Sequence, residues 1–287
     1  MWFFYALLNA FFESCKDAYA KFGTQSFDPW TVAFFSHFLV ALILTPILLI
    51  HGASFQFNDI FWMATFGTLC VNTITSILYM QALLEAPLSL ALPLLKLTPV
   101  FLLVTAPIIT GEVPSIVGLI GVILSVAGSY MLNLSKKREG FWEPLLSIWK
   151  VKGTRKMLIV SMLWSISAPC DKIAVLNSSP MEFLVVINGL LSLTLFLLAQ
   201  RFGMSFKESS IRQILVLAPI GIFSSLSLMF QMTALQLAQV TYVITTKRLS
   251  AVFGMIWGKI FFKETGLRER LIGTIFLLVG MVLILFS

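Results

Sequence analysis

The sequence predicts an all-α integral membrane protein, with ten transmembrane helices arranged as two inverted five-helix repeats. Three observations carry that reading. Hydrophobic residues fill 58% of the 287 positions, charged residues only 11%, and the mean hydropathy is +0.94, whereas a soluble domain is charged at about one position in four. Apolar stretches of about 20 residues, enough to cross a hydrocarbon core of about 30 Å as a helix, recur along the whole chain between turn signals. The second half of the chain also repeats the first.

In order, the predicted spans are 2–22, 29–50, 60–84, 88–110, 114–134, 157–176, 180–200, 211–236, 239–262 and 267–286. The first has neither a basic leading segment nor a small-residue cleavage site, and it carries Glu13, Lys16, Asp17 and Lys21. It therefore reads as a retained helix rather than a signal peptide. Phe27-Asp28-Pro29 and Glu85-Ala86-Pro87 are short breaks of the kind that join helical hairpins. The fourth span holds Pro93, Pro99 and Pro107, which predict bends where carbonyls lose their donors. No Gly/Ser/Pro-rich linker separates off a soluble domain. Residues 1–134 and 157–287 form the two halves, and 135–156 is the charged, interfacial segment between them. Its "FWEPLLSIWK" stretch mixes aromatic, aliphatic and basic residues as a segment lying at headgroup level does.

The formal charge of +7 is concentrated. Lys136, Lys137, Arg138, Lys150, Lys152, Arg155 and Lys156 crowd the central segment; Arg201, Lys207, Arg212, Lys263, Arg268 and Arg270 fall in two later connections. With ten spans these lie on one membrane face, and the positive-inside rule places that face in the cytoplasm of a bacterial-type plasma membrane. Bases gathered there suit anionic lipid and argue against nucleic acid.

At an offset of 152 residues the halves align without a gap: Ala82 on Ala234, Leu97 on Leu249, Phe101 on Phe253, Glu112 on Glu264, Gly121 on Gly273 and Gly128 on Gly280. Lys96 falls on Arg248. Five spans per half is an odd number, so the second half enters from the opposite side, and the binding site is expected near the midplane between the halves.

Ionisable residues at membrane depth cost roughly 2.5 kcal/mol or more and mark function by default. Lys96 lies about 12 Å into its helix, and Lys247 and Arg248 reach a similar depth from the other side. Cations so close call for an anion, Arg248 offering a planar fork and the lysines point charges. Tyr242 and Asn72 are further candidates to line a substrate site, as are Asn188 and Gln231, although hydrogen bonds between helices account for them equally well. Glu13, Lys16, Asp17, Lys21, Asp171 and Lys172 are candidates for coupling or gating. Spacing allows Glu13–Lys16 and Asp17–Lys21 pairs on adjacent turns, and the same acids are available to neutralise the basic trio. A buried carboxylate among them would also serve to carry a proton. His37 reads as a packed side chain.

"YMQALLEAPLSLALPLLKLTPVFLLVTAPIITGEVPSIVGLIGVILSVAGSYML" (79–132) and "TALQLAQVTYVITTKRLSAVFGMIWGKIFFKETGLRERLIGTIFLLVGMVLIL" (233–285) resemble the EamA repeat of the drug/metabolite transporter superfamily. The likeness rests on the "AL" end of a third helix, "LTPVF", the "GE" or "KE" turn and a Gly-rich fifth helix. It implies a carrier working by alternating access, with both termini in the cytoplasm, opposite to what the charges indicate. "LLKLTPVF" and "TTKRLSAVF" are also similar to plastid phosphate translocators and nucleotide-sugar carriers, in which a lysine and a Lys-Arg pair bind substrate phosphate. That similarity implies the same task for Lys96, Lys247 and Arg248.

The expected function is secondary transport of a small organic, anionic metabolite, with exchange as one mode. A proton-coupled exporter of amino acids or drugs and a flippase for a phosphorylated polyprenyl lipid are the alternatives. No nucleophile motif, metal-ligand spacing, phosphate-binding Gly loop or CxxC pattern points to an enzyme or to a cofactor. Partners reduce to the solute and membrane lipids, and no sequence feature argues for a homodimer.

Overall fold

A computed structural model describes residues 1–23, 29–52, 54–133, 142–201, 211–262 and 267–287. Side chains are described for these except at 20–23, 29–30, 88–89, 133, 211–216, 262 and 267–270. The described residues form helices and no strand. They are α1 (Trp2–Gly23), α2 (Pro29–His51), α3 (Asp59–Glu85), α4 (Leu88–Leu95), α5 (Thr98–Ile109), α6 (Ile116–Asn133), α7 (Glu143–Lys150), α8 (Lys152–Leu176), α9 (Pro180–Arg201), α10 (Ile211–Leu237), α11 (Val240–Thr246), α12 (Ser250–Phe262) and α13 (Leu267–Leu285). Six are long and apolar enough to cross a membrane if α4 and α5 are counted together, and α6 and α13 are shorter apolar helices. The most extensive packings join α3 to α8, α6 to α13, α1 to α10 and α2 to α9.

Two predicted spans are interrupted, and the interruptions fall on half-buried Lys96 and on half-buried Lys247 with buried Arg248. The fourth breaks at Lys96-Leu97, where the amides of Lys96 and Leu97 reach only to the carbonyls of Pro93 and Leu94, each at 3.1 Å. Pro99 has no N–H for the Leu95 carbonyl, and the Thr98 hydroxyl donates to it instead at 2.9 Å. Between α11 and α12 stands a 3-10 turn, Lys247–Leu249. No proline causes it. In the turn before it the Thr245 and Thr246 hydroxyls donate back to the carbonyls of Thr241 and Tyr242 at 2.6 and 2.8 Å, as threonines of the unbroken α2, α9 and α10 also do.

Small residues let α6 and α13 meet at backbone distance. A Cβ on Gly121 would stand 2.7 Å from the Gly280 carbonyl oxygen, and one on Gly273 would stand 2.9 Å from that of Gly128. The central segment is not simply a loop: α7 occupies 143–150, and α8 already starts at Lys152. Leu145 and Ile148 of α7 pack against the cluster of Ala86, Leu94, Met157 and Val160, while Trp142, Leu146 and Trp149 are exposed. The Thr154 hydroxyl ties the end of α7 to α8 through the Ser147 carbonyl at 2.8 Å. The basic residues at 136–138, 207 and 263 lie outside the described residues, as do the side chains at 212, 268 and 270.

Candidate functional site

Lys247 is held by the protein. Its Nζ donates to Gln231 Oε1 at 3.0 Å and lies 3.6 Å from Glu13 Oε1. Glu13 is the hub of this network: Lys16 Nζ sits 2.7 Å from Oε1, and the Ser227 hydroxyl donates to Oε2 at 3.0 Å. Ser227 also reaches Asn9 Oδ1 at 2.8 Å, and the Asn9 amide reaches Gln231 Oε1 at 3.4 Å. Asn9, Gln231 and Ser227 are buried, so α1, α10 and the 3-10 turn are joined by polar contacts inside an apolar packing. The expected Glu13–Lys16 pair is present. Asp17 lies 3.7 Å from Lys16 with its side chain 64% exposed; the expected Asp17–Lys21 pair lies outside the described residues.

Arg248, one residue on, feels Glu13 only through its field. It is 8% exposed, makes no hydrogen bond or ion pair among the described residues, and its Nε is buried without a partner. Lys96 likewise makes no ion pair, although it lies within electrostatic reach of Arg248, Lys247, Glu13 and Asp17. Lys16, Lys96, Lys247 and Arg248 are four cations facing the carboxylates of Glu13 and Asp17. These six described groups carry a formal excess of two positive charges, reduced to one when Asp171, on which Lys247 also acts, is ionised. Tyr79 of α3, 5.9 Å from the Trp164 ring of α8, faces the same acids and Lys16.

Nearer the end of the bundle that carries the α5–α6 and α10–α11 turns, polar contacts run between the two halves of the chain. Gly111, at φ 72°, follows the last turn of α5 in the left-handed conformation that glycine adopts freely, and it delivers Glu112. One Glu112 oxygen pairs with Lys172 Nζ, and the other accepts from the Val240 amide at 2.8 Å, which stabilises the start of α11. Lys172 also donates to the Ala238 carbonyl at 2.6 Å. The Ser115 amide donates to the Tyr242 hydroxyl at 3.2 Å, Asn58 donates to Asn177 at 2.8 Å, and Glu182 accepts from the Ser54 and Phe55 amides at 3.1 and 3.2 Å. Tyr242 thus belongs to this end of the bundle. Asn72 accepts from the Ser167 hydroxyl at 3.3 Å, Asp171 accepts from the Thr68 hydroxyl at 2.8 Å, and His37 meets Asn188 at 2.8 Å. A separate groove of about 490 Å³ between α1, α12 and α13 is lined by apolar side chains such as Phe3, Leu7, Val252 and Met281; it offers nothing to an anion.

Residues 1–134 and 152–286 match the EamA-like transporter family. The chain belongs to that family. An uncharacterized transporter of Archaeoglobus fulgidus is 26% identical over 208 residues, 72% of this chain and 69% of the relative. A crystal structure of a protein 12% identical superposes with a TM-score of 0.79 over 99% of this chain and 95% of its own; it shows the fold alone. This EamA-family chain is therefore a multi-pass membrane transporter. Sequence reasoning did not single out Asn9, Ser227, Tyr79 or Glu182, and it treated Glu112 only as a mark of the repeat. For Glu112 a signal existed, its recurrence as Glu264 at the 152-residue offset.

Proposed function

We propose that this EamA-family transporter carries a small organic anion by alternating access, with Arg248 and Lys96 as the anchors. The observation that carries the reading is Arg248, a buried guanidinium that makes no hydrogen bond or ion pair among the described residues. Such a group is costly to leave unmatched, and a phosphate or carboxylate matches its fork. A formal excess of one to two positive charges, according to whether Asp171 is ionised, suits an anion such as a phosphate monoester, which carries about −1.5 to −2 at neutral pH. Lys247 serves the site indirectly, holding the 3-10 turn to Glu13 and Gln231. Tyr79 and Trp164 are positioned to meet the uncharged part of the solute, with Asn72 and Tyr242 as further lining candidates.

Ten spans in two inverted halves, 1–134 and 157–287 about the 135–156 connection, frame this site. Helix packing supports that: the 152-residue offset exchanges the α3–α8 pair with α10–α1 and carries α2–α9 and α6–α13 onto themselves. The Gly121–Gly280 and Gly128–Gly273 contacts exchange in the same way. The contacts of Glu112, Lys172, Tyr242 and Glu182 form the closed gate of one face, and the basic end of the bundle faces the cytoplasm. A cation cluster that crosses poorly when empty favours exchange over net uptake.

Thermal unfolding of the detergent-purified protein against phosphate esters, dicarboxylates, amino acids and cationic drugs tests the reading. Anions stabilise wild type, and Arg248→Gln abolishes the shift. Stabilisation by cationic or neutral compounds alone, unchanged in the variant, contradicts it.

A further inference from the structure

Asp171 is the buried acid that the anion site leaves unused. It is 9% exposed, about 8 Å from the C-terminal end of α8 at Leu176, and it makes no ion pair among the described residues. Its neighbour Lys172 is committed to Glu112 and to the Ala238 carbonyl. A single hydroxyl, that of Thr68, compensates the carboxylate, far less than a buried charge requires.

The Thr68 hydroxyl has two acceptors within reach, Asp171 Oδ1 at 2.8 Å and the Ser167 carbonyl at 3.3 Å. This arrangement satisfies both forms of the acid. With Asp171 ionised, Thr68 donates to it. With Asp171 protonated, the acid donates to the Thr68 oxygen, and the Thr68 proton turns to Ser167, so no buried polar atom is orphaned. An ion-pair partner would make only the charged form compatible.

Among charged and titratable neighbours, Cys170 and Lys172 flank Asp171 on α8, Cys70 lies on α3, and Lys247 acts on it from the 3-10 turn. Glu112 stands beyond Lys172 at the α5–α6 turn. Tyr242, on α11, bonds the Ser115 amide, and α4 and α5 carry no charged residue. On α10, Arg212 lies near the opposite end, as do Glu143 and Lys150 of α7 and Arg201 of α9; Glu182, at the start of α9, is spent on Ser54 and Phe55.

We propose that Asp171 is a proton-binding site of the carrier, loaded while the Glu112–Lys172 contact is closed and emptied when it opens. Opening breaks the contact, frees the Lys172 ammonium beside Asp171 and admits water, and each change favours the carboxylate. The proton passes to water, and the acid recharges as the contact reforms. This inference rests on the reading of the Glu112–Lys172 contact as a gate, not on the identity of the anion, and needs no substrate to test.

Infrared difference spectra of the purified protein, acid minus base, read it directly. Wild type gives a protonated-carboxyl C=O band that moves on carbon-13 labelling of aspartate; Asp171→Asn deletes that component, and Thr68→Val shifts its frequency by removing its hydrogen-bond partner. Thr68→Val keeps the test valid if Asp171→Asn does not fold. Gate linkage is read by thiol labelling of Ser115→Cys in a cysteine-free background, corrected against Ser287→Cys. Labelling quickens several-fold as pH rises and loses that dependence with Asp171→Asn. A carboxyl band unaltered by either substitution, or a labelling rate with the same pH dependence in Asp171→Asn, overturns the proposal.

Discussion

The two broken helices sit at one register of the repeat and reach the same shape by different chemistry. Between α4 and α5, proline withdraws a donor and a threonine hydroxyl replaces it; the break between α11 and α12 has no proline and follows a turn in which two threonine hydroxyls bond back to carbonyls. Their cations differ as well. Among the described residues Lys96 makes no hydrogen bond or ion pair, whereas the second break holds one cation, Lys247, in contact with Gln231 and Glu13, and another, Arg248, that Glu13 reaches only through its field. Depth and charge alone therefore do not define a ligand site. What separates a ligand anchor from a structural ion is whether a protein group already answers it.

The largest expected effect comes from the unanswered cation. In proteoliposome exchange assays with the anion that stabilises the protein most, Arg248→Gln removes transport, the equivalent of about 2–5 kcal/mol of lost interaction; activity near wild type would place Arg248 outside the site. Breaking the answered cation acts on the fold instead. Glu13→Gln leaves Lys247 with Gln231 as its only close partner among the described residues, and loss of one member of this half-buried pair costs less than the ~3–5 kcal/mol of a fully buried one. Unfolding in detergent should show it, and adding Lys247→Gln should recover most of the loss. Equal destabilisation in the double variant would mean that Glu13 acts through Lys16 or Ser227.

Smaller effects sharpen the comparison. Thr98→Ala orphans the Leu95 carbonyl at about 1–3 kcal/mol, while Thr245→Ala releases a hydroxyl that competed with the helix and should leave thermal stability unchanged or raised. Lys96→Gln, a point charge without bidentate geometry, should weaken anion affinity about tenfold, or 1.4 kcal/mol; no change would confine the anion to Arg248.

Much of this was legible in the sequence. Apolar length gave the helices, the 152-residue offset gave the equivalence of Lys96 and Arg248, and the i to i+3 spacing gave the Glu13–Lys16 pair. Pro99 also announced the first break. The second carried no such mark: it has no proline, and its threonines bond back as those of the unbroken α2, α9 and α10 do. Nor was it legible that Lys247 contacts Glu13 and Gln231 while Arg248 makes no hydrogen bond or ion pair among the described residues. That depends on Glu13 and Gln231, brought from α1 and α10 by tertiary packing, and on neighbouring residues of one tight turn pointing in different directions. Glu112 was visible as a repeated residue, but its contacts with Lys172 and Val240 exist only once the two halves meet.

The central claim is most directly tested by calorimetric titration of one stabilising anion into wild type, Arg248→Gln and Lys247→Gln, with each affinity referred to the folded fraction. The account predicts that Arg248→Gln eliminates measurable binding while Lys247→Gln keeps affinity within about tenfold of wild type. Binding that survives in Arg248→Gln and vanishes in Lys247→Gln would contradict it.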